Sequence, residues 1–189
     1  MAYAKRVFDI AAGAGATAFT GAGGLFGINL REDTAVAAPT SVIVYDNTAA
    51  SGVIVAQIRL AADGEFQVNW ERGVKFGTGL HVTATGGDIS GSLLIGSGGG
   101  LRALPFAGAD LLLQTGASSL DSVLIADLGG AVGDWQLFDN TSAAGVPFAG
   151  GAPAANETTV LKWTGGVTIS NGLFFDQVAG ATGGAAYVY

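Results

Sequence analysis

The chain repeats itself at a fixed interval. Tyr45-Asp46-Asn47-Thr48 returns as Phe138-Asp139-Asn140-Thr141, and Gly79-Leu80 returns as Gly172-Leu173. Trp70, Gly73 and Val74 return as Trp163, Gly166 and Val167. Every pair is 93 positions apart, and between residues 40–88 and 133–181 the identities number 15 in 49. Self-similarity at this period means two copies of one structural unit in tandem. Upstream the likeness is weaker: Leu25–Leu30 resembles Val123–Leu128 at an offset of 98. A loop of different length, placed at Arg31–Pro39, accounts for the change.

The repeated unit reads as β. Phe66, Val68 and Trp70 alternate with Glu65, Gln67, Asn69 and Glu71, the period-two pattern of a half-buried strand. Leu80, Val82 and Ala84 alternate with His81, Thr83 and Thr85 in the same way. Ser41–Tyr45 and Gly52–Leu60 form a hairpin across Asp46–Ser51, where Asp and Asn suit a turn. The chain holds 32 Gly and 33 Ala, a composition of turns and thin packing rather than of long helices. Each unit therefore predicts six to eight short antiparallel strands. The expected fold is all-β: two tandem antiparallel β-sandwich units, jelly-roll-like, related by the internal repeat.

Residues 1–95 read as an N-terminal arm plus the first unit, and residues 101–189 as the second. Between them, Gly96-Ser97-Gly98-Gly99-Gly100 reads as a flexible connector or sharp reversal. Lys5-Arg6 before an Ala/Gly stretch imitates a signal peptide, but Asp9 interrupts the would-be apolar segment, so this region reads as an arm or first strand. Tyr187-Val188-Tyr189 reads as a final strand.

Charge and residue chemistry exclude several functions. A net charge of -7 with scattered bases argues against a nucleic-acid groove. No run of about 18 strongly apolar residues suggests a membrane span. The absence of Cys removes disulfides and thiolate chemistry. His81 is the single histidine, and its repeat partner is Phe174, so it reads as an ordinary strand position. Asp46 and Asp139 could belong to calcium- or sugar-binding loops, yet Asp-Asn-Thr is ordinary turn chemistry. Glu32-Asp33 reads as solvated charge. Gly13-Ala-Gly15-Ala-Thr-Ala18 matches a dinucleotide fingerprint but lacks the helix that motif needs. Asn140 and Asn156 fit the glycosylation pattern, which matters only on a secretory route. Trp70, Trp163 and Trp135 read as core. No catalytic, metal or cofactor residue is assigned.

Val44-Tyr45-Asp46-Asn47-Thr48-Ala49-Ala50-Ser51-Gly52, then Trp70, Gly73-Val74-Lys75-Phe76 and Gly79-Leu80-His81-Val82-Thr83-Ala84-Thr85-Gly86, resembles a β module common in tailed-bacteriophage structural proteins. The resemblance spans residues 40–95 and 133–189, and the second unit departs from it at Pro147–Pro153. It implies a non-enzymatic virion protein made in the host cytoplasm that decorates and stabilises the capsid surface. It also implies contact with the major capsid protein and a homo-oligomer, a trimer favoured, with no nucleic-acid or membrane partner and no cofactor. Met1–Ala18 is the segment whose truncation this reading expects to matter most. The competing expectation is a tail- or head-fibre module that binds a host-surface glycan.

Overall fold

The computed structural model describes residues 5–13, 15–33 and 39–189. Contacts divide the chain into two compact units, Met1–Ala103 and Leu104–Tyr189. All regular structure among the described residues is strand, sixteen in number. In the first unit these are β1 (Arg6–Gly13), β2 (Gly15–Thr20), β3 (Gly23–Glu32), β4 (Thr40–Asp46), β5 (Val53–Leu60), β6 (Glu65–Phe76), β7 (Gly79–Thr85) and β8 (Ile89–Gly96). Then come β9 (Arg102–Ala107), β10 (Leu111–Thr115), β11 (Ser118–Asp127), β12 (Asp134–Asp139), β13 (Ala149–Gly151), β14 (Thr158–Ile169), β15 (Gly172–Ala179) and β16 (Thr182–Val188). No helix long and apolar enough to cross a membrane is present among the described residues, which says nothing of strands.

The strands form four antiparallel sheets of four. The first unit orders them β1-β8-β3-β6 and β2-β7-β4-β5; the second, β9-β16-β11-β14 and β10-β15-β12-β13. Adding eight to each label of the first unit yields the second. The alternation read from the sequence explains the placement. On β6, Phe66, Val68 and Trp70 are buried while Glu65, Gln67, Asn69 and Glu71 are exposed. The core of the second unit draws Leu120, Val123 and Ile125 from one of its sheets and Trp135, Leu137, Leu173 and Phe175 from the other. Tyr187 is buried on β16, and loss of solvent pushes its phenol far above the ordinary range.

Pairing register corrects the upstream offset. Ile28 faces Val68 across β3 and β6, and Val123 faces Leu161 across β11 and β14. Val68 and Leu161 are 93 apart, so the equivalent of Ile28 is Val123, 95 positions on rather than 98. The bulges agree: the shifts at Thr17/Phe19 and Leu112/Gln114, and those at Leu25/Gly27 and Leu120/Ser122, are both 95 apart. With this offset Thr20-Gly21-Ala22 meets its equivalent Thr115-Gly116-Ala117, and the duplication extends through the N-terminal strands. The offset falls from 95 to 93 between β3 and β4, where unit 2 is two residues shorter; residues 34–38 of that loop lie outside the described residues.

The region read as an arm or first strand forms β1 and β2, one strand for each sheet of the first unit; Met1–Ala4 and Ala14 lie outside the described residues. The glycine run is anchored rather than loose at its far end. Gly100 N–H donates to the Arg72 carbonyl at 2.9 Å, Leu101 N–H to Gly73 at 3.0 Å, and Lys75 N–H to Leu101 at 2.7 Å. These bonds clip the segment alongside β6, and the compact first unit continues to Ala103.

One glycine position explains why the copies keep their register. Gly91 on β8 lies against the carbonyl oxygen of Asn29, and its equivalent Gly184 on β16 against that of Leu124. A Cβ at either place would collide with backbone that has no side-chain freedom to yield.

Candidate functional site: a basic and aromatic surface of the first unit

The carboxylates with the strongest sequence interest are occupied by their own backbone. Asp46 accepts N–H bonds from Gly77 and Thr78, both at 2.8 Å, and from Gly79 at 3.4 Å. Asp139 accepts from Ser170 at 2.9 Å, Asn171 at 2.7 Å and Gly172 at 3.4 Å. Each acid thus ties the end of its strand to the turn between β6 and β7, or between β14 and β15. The N–H groups of Asn171, Ser170 and Gly172, that of Asn171 foremost, hold the Asp139 carboxyl below its usual range against the opposing effect of burial. The neighbouring Asn47 and Asn140 side chains each accept the next residue's N–H at 2.7 Å. Turn chemistry therefore accounts for the repeated Asp-Asn-Thr.

Glu32 is not solvated. It is fully buried at the end of β3 and accepts the N–H of Asp63 at 3.0 Å. Its equivalent, Asp127, is also fully buried and accepts the N–H of Asn156 at 2.7 Å. Asp63 and Asn156 are the two non-glycine residues with left-handed backbone among the described residues, at φ 55° and 61°. A buried acid facing a left-handed turn residue is a second duplicated clasp, hidden in the sequence because Glu serves in one copy and Asp in the other.

The other sequence candidates disperse. His81 is half-buried on β7, with Nδ1 3.1 Å from the Thr17 hydroxyl; Phe174 holds the matching place on β15. Gly13 and Gly15 lie on strands β1 and β2, so the fingerprint precedes no helix. Asn140 donates to the Ala144 carbonyl within its own loop. Trp70 and Trp135 are buried, but Trp163 is only half-buried, its ring tilted against Phe148 at 6.3 Å. In the second unit Asp110, Asp134 and Asp176 crowd together. Burial, a hydrogen bond to Asp110 and repulsion from Asp110 and Asp134 push the Asp176 carboxyl above its usual range. No group of three or more His, Cys, Asp or Glu suited to a metal occurs among the described residues.

What the fold brings together was not apparent from spacing. Three hollows border the segment Ser97–Gly100. One of about 300 Å3 is lined by Arg6, Phe8 and Phe19, one of about 450 Å3 by Phe26, Glu71 and Arg72, and one of about 220 Å3 by Lys75 and Phe76. Lys5 adds its ammonium 4.5 Å from the centre of the Phe26 ring. Four of the chain's eight bases thus gather on one surface of an acidic protein. The rings of Phe8, Phe19 and Phe76 form an edge-to-face series with centroids 5.4 and 5.7 Å apart. The topology does the gathering: β1 lies beside β8, and the segment after β8 clips to β6. No family model matches the chain, and neither a curated protein nor a solved structure is significantly similar to it.

Proposed function

We propose that the chain is a non-enzymatic structural protein of two tandem jelly rolls that decorates the capsid of a tailed phage. The observation that carries this reading is the strand order. The first strand beside the eighth and the third beside the sixth, with the second beside the seventh and the fourth beside the fifth, is the order expected of a double Greek key, which supports a jelly-roll reading; capsid and lectin domains use that architecture. Asp46, Asp139, Glu32 and Asp127 are committed to the clasps of that scaffold, which supports a role for them in assembly. The resemblance of residues 40–95 and 133–189 to phage structural modules supplies the location and the major capsid protein as partner. Emptied phage heads incubated with the purified protein test it. Saturation at a copy number that matches the capsid lattice is the expected result; a few copies per particle, or none, overturns it.

A second reading has its own support. The Arg/Lys and Phe surface of the first unit suits a fibre module that binds a host-surface glycan, because it offers charged donors beside apolar rings.

A further inference from the structure

The duplication supplies an internal comparison for that surface. By the offset of 93, Arg72 and Lys75 correspond to Gly165 and Thr168. By the offset of 95 shown for β2 and β3, Phe19 and Phe26 correspond to Gln114 and Asp121, and by that of 93 Glu71 corresponds to Thr164. The clasps of Asp46 and Asp139, the clasps of Glu32 and Asp127 and the close glycines are kept in both units. The second unit thus closes without counterparts of Arg72, Lys75, Phe19 and Phe26, whose presence in one unit calls for a separate reason.

We infer that the surface around Ser97–Gly100 binds an acidic carbohydrate chain, one carrying carboxylate or sulfate groups. This rests on the glycan reading above and not on the capsid reading. Arg6, Arg72 and Lys75 are exposed, so their attraction is felt within a Debye length of about 8 Å at physiological salt. Glu71 lines the same hollow as Arg72. A carboxylate there accepts bonds from sugar hydroxyls but repels a polyphosphate or a run of acidic side chains, whose groups cannot donate. Phe8 and Phe19 are half-buried and present ring surface on which a sugar's C–H face can lie. Gly98 has a left-handed backbone, φ 75°, and nothing stands within 4 Å of where its Cβ would be, so a ligand can reach the main chain. Three shallow hollows along one extended segment fit a chain of sugars better than one compact molecule.

The test is titration calorimetry of the full chain against polygalacturonate, dextran sulfate, unsubstituted dextran and poly-glutamate. Polygalacturonate or dextran sulfate is expected to bind, and dextran and poly-glutamate not to. Affinity should fall about tenfold in an Arg6→Gln/Lys75→Gln variant whose unfolding temperature is unchanged, and fall again as salt rises. Equal binding of dextran overturns the acidic assignment while leaving the glycan reading in place. Equal binding of poly-glutamate overturns carbohydrate in favour of an acidic protein partner. Failure of every polysaccharide to bind overturns both the inference and the glycan reading, and binding unchanged in the variant places the site elsewhere.

Discussion

Asp46 and Asp139 perform the same task 93 residues apart: each holds the N–H groups of the residues 31, 32 and 33 positions downstream. The bonds cross between elements remote in sequence, so each carboxylate fixes where a strand ends and its turn begins. Removing either leaves two or three turn donors without an acceptor.

Asp46→Ala and Asp139→Ala are each expected to destabilise their own unit by about 1.5–3 kcal/mol, the range for hydrogen bonds to a charged group. Denaturant unfolding of the two variants measures it. Calcium at millimolar concentration should shift neither midpoint, since the carboxylate oxygens already face backbone donors; a calcium-dependent shift lost in the variants would contradict the clasp assignment.

The pH dependence of Asp139 and Asp176 runs in opposite directions. Asp139 titrates below 3.8 in the folded state, so its contribution is full above the unfolded value and is lost as pH falls through the folded one. Asp176 titrates above 3.8, so the folded state holds its proton more tightly and stability declines as pH rises from the unfolded value through the folded one. Asp176→Asn should therefore stabilise the protein at neutral pH, with the gain vanishing below about pH 3.8. Carboxyl NMR titrations and melting curves across acid pH check both signs.

Gly91→Val and Gly184→Val should each cost about 3 kcal/mol or more, because a side chain would meet the carbonyl of the adjacent strand. Gly98→Ala is the comparison. Its space is open and only the left-handed backbone opposes a side chain, so about 1–2 kcal/mol is expected. Chemical denaturation of the three variants ranks them.

Trp70→Ala and Trp163→Ala alter matched positions of unequal burial. The first empties a closed core and should cost about 3–5 kcal/mol. The second removes a half-buried ring resting on Phe148 and should cost less than half as much. Tryptophan fluorescence during unfolding reports both, and equal losses would show that Trp163 is sealed in solution.

Sequence periodicity revealed the strands around Trp70 and Leu80, and the matched tryptophans exposed the duplication. The N-terminal part of the repeat stayed hidden for a physical reason. Its conserved positions, such as Thr20-Gly21-Ala22 and Thr115-Gly116-Ala117, use small residues that turn geometry favours everywhere, so they stand out only once strand pairing sets the offset. Glu32 looked solvated because a charge next to Asp33 in a loop usually is. Only the fold supplies the left-handed Asp63 that gives it a donor. Lys5 and Lys75 are seventy positions apart, and no spacing rule joins them; the β1–β8 pairing and the clip of Leu101 to β6 do.

The placement of β8 and β16 has a consequence for how the protein is made. Each is the last strand of its unit in the chain, yet each lies inside its sheet, β8 between β1 and β3 and β16 between β9 and β11. Until that strand leaves the ribosome, β1 or β9 has no neighbour to pair with and the unit's apolar faces stay open. Synthesis therefore delivers two long-range closures in series, the kind of non-local pairing that folds slowly. A nascent chain stalled within Thr182–Val188 should already contain a finished first unit and a second unit vulnerable to protease along its whole length.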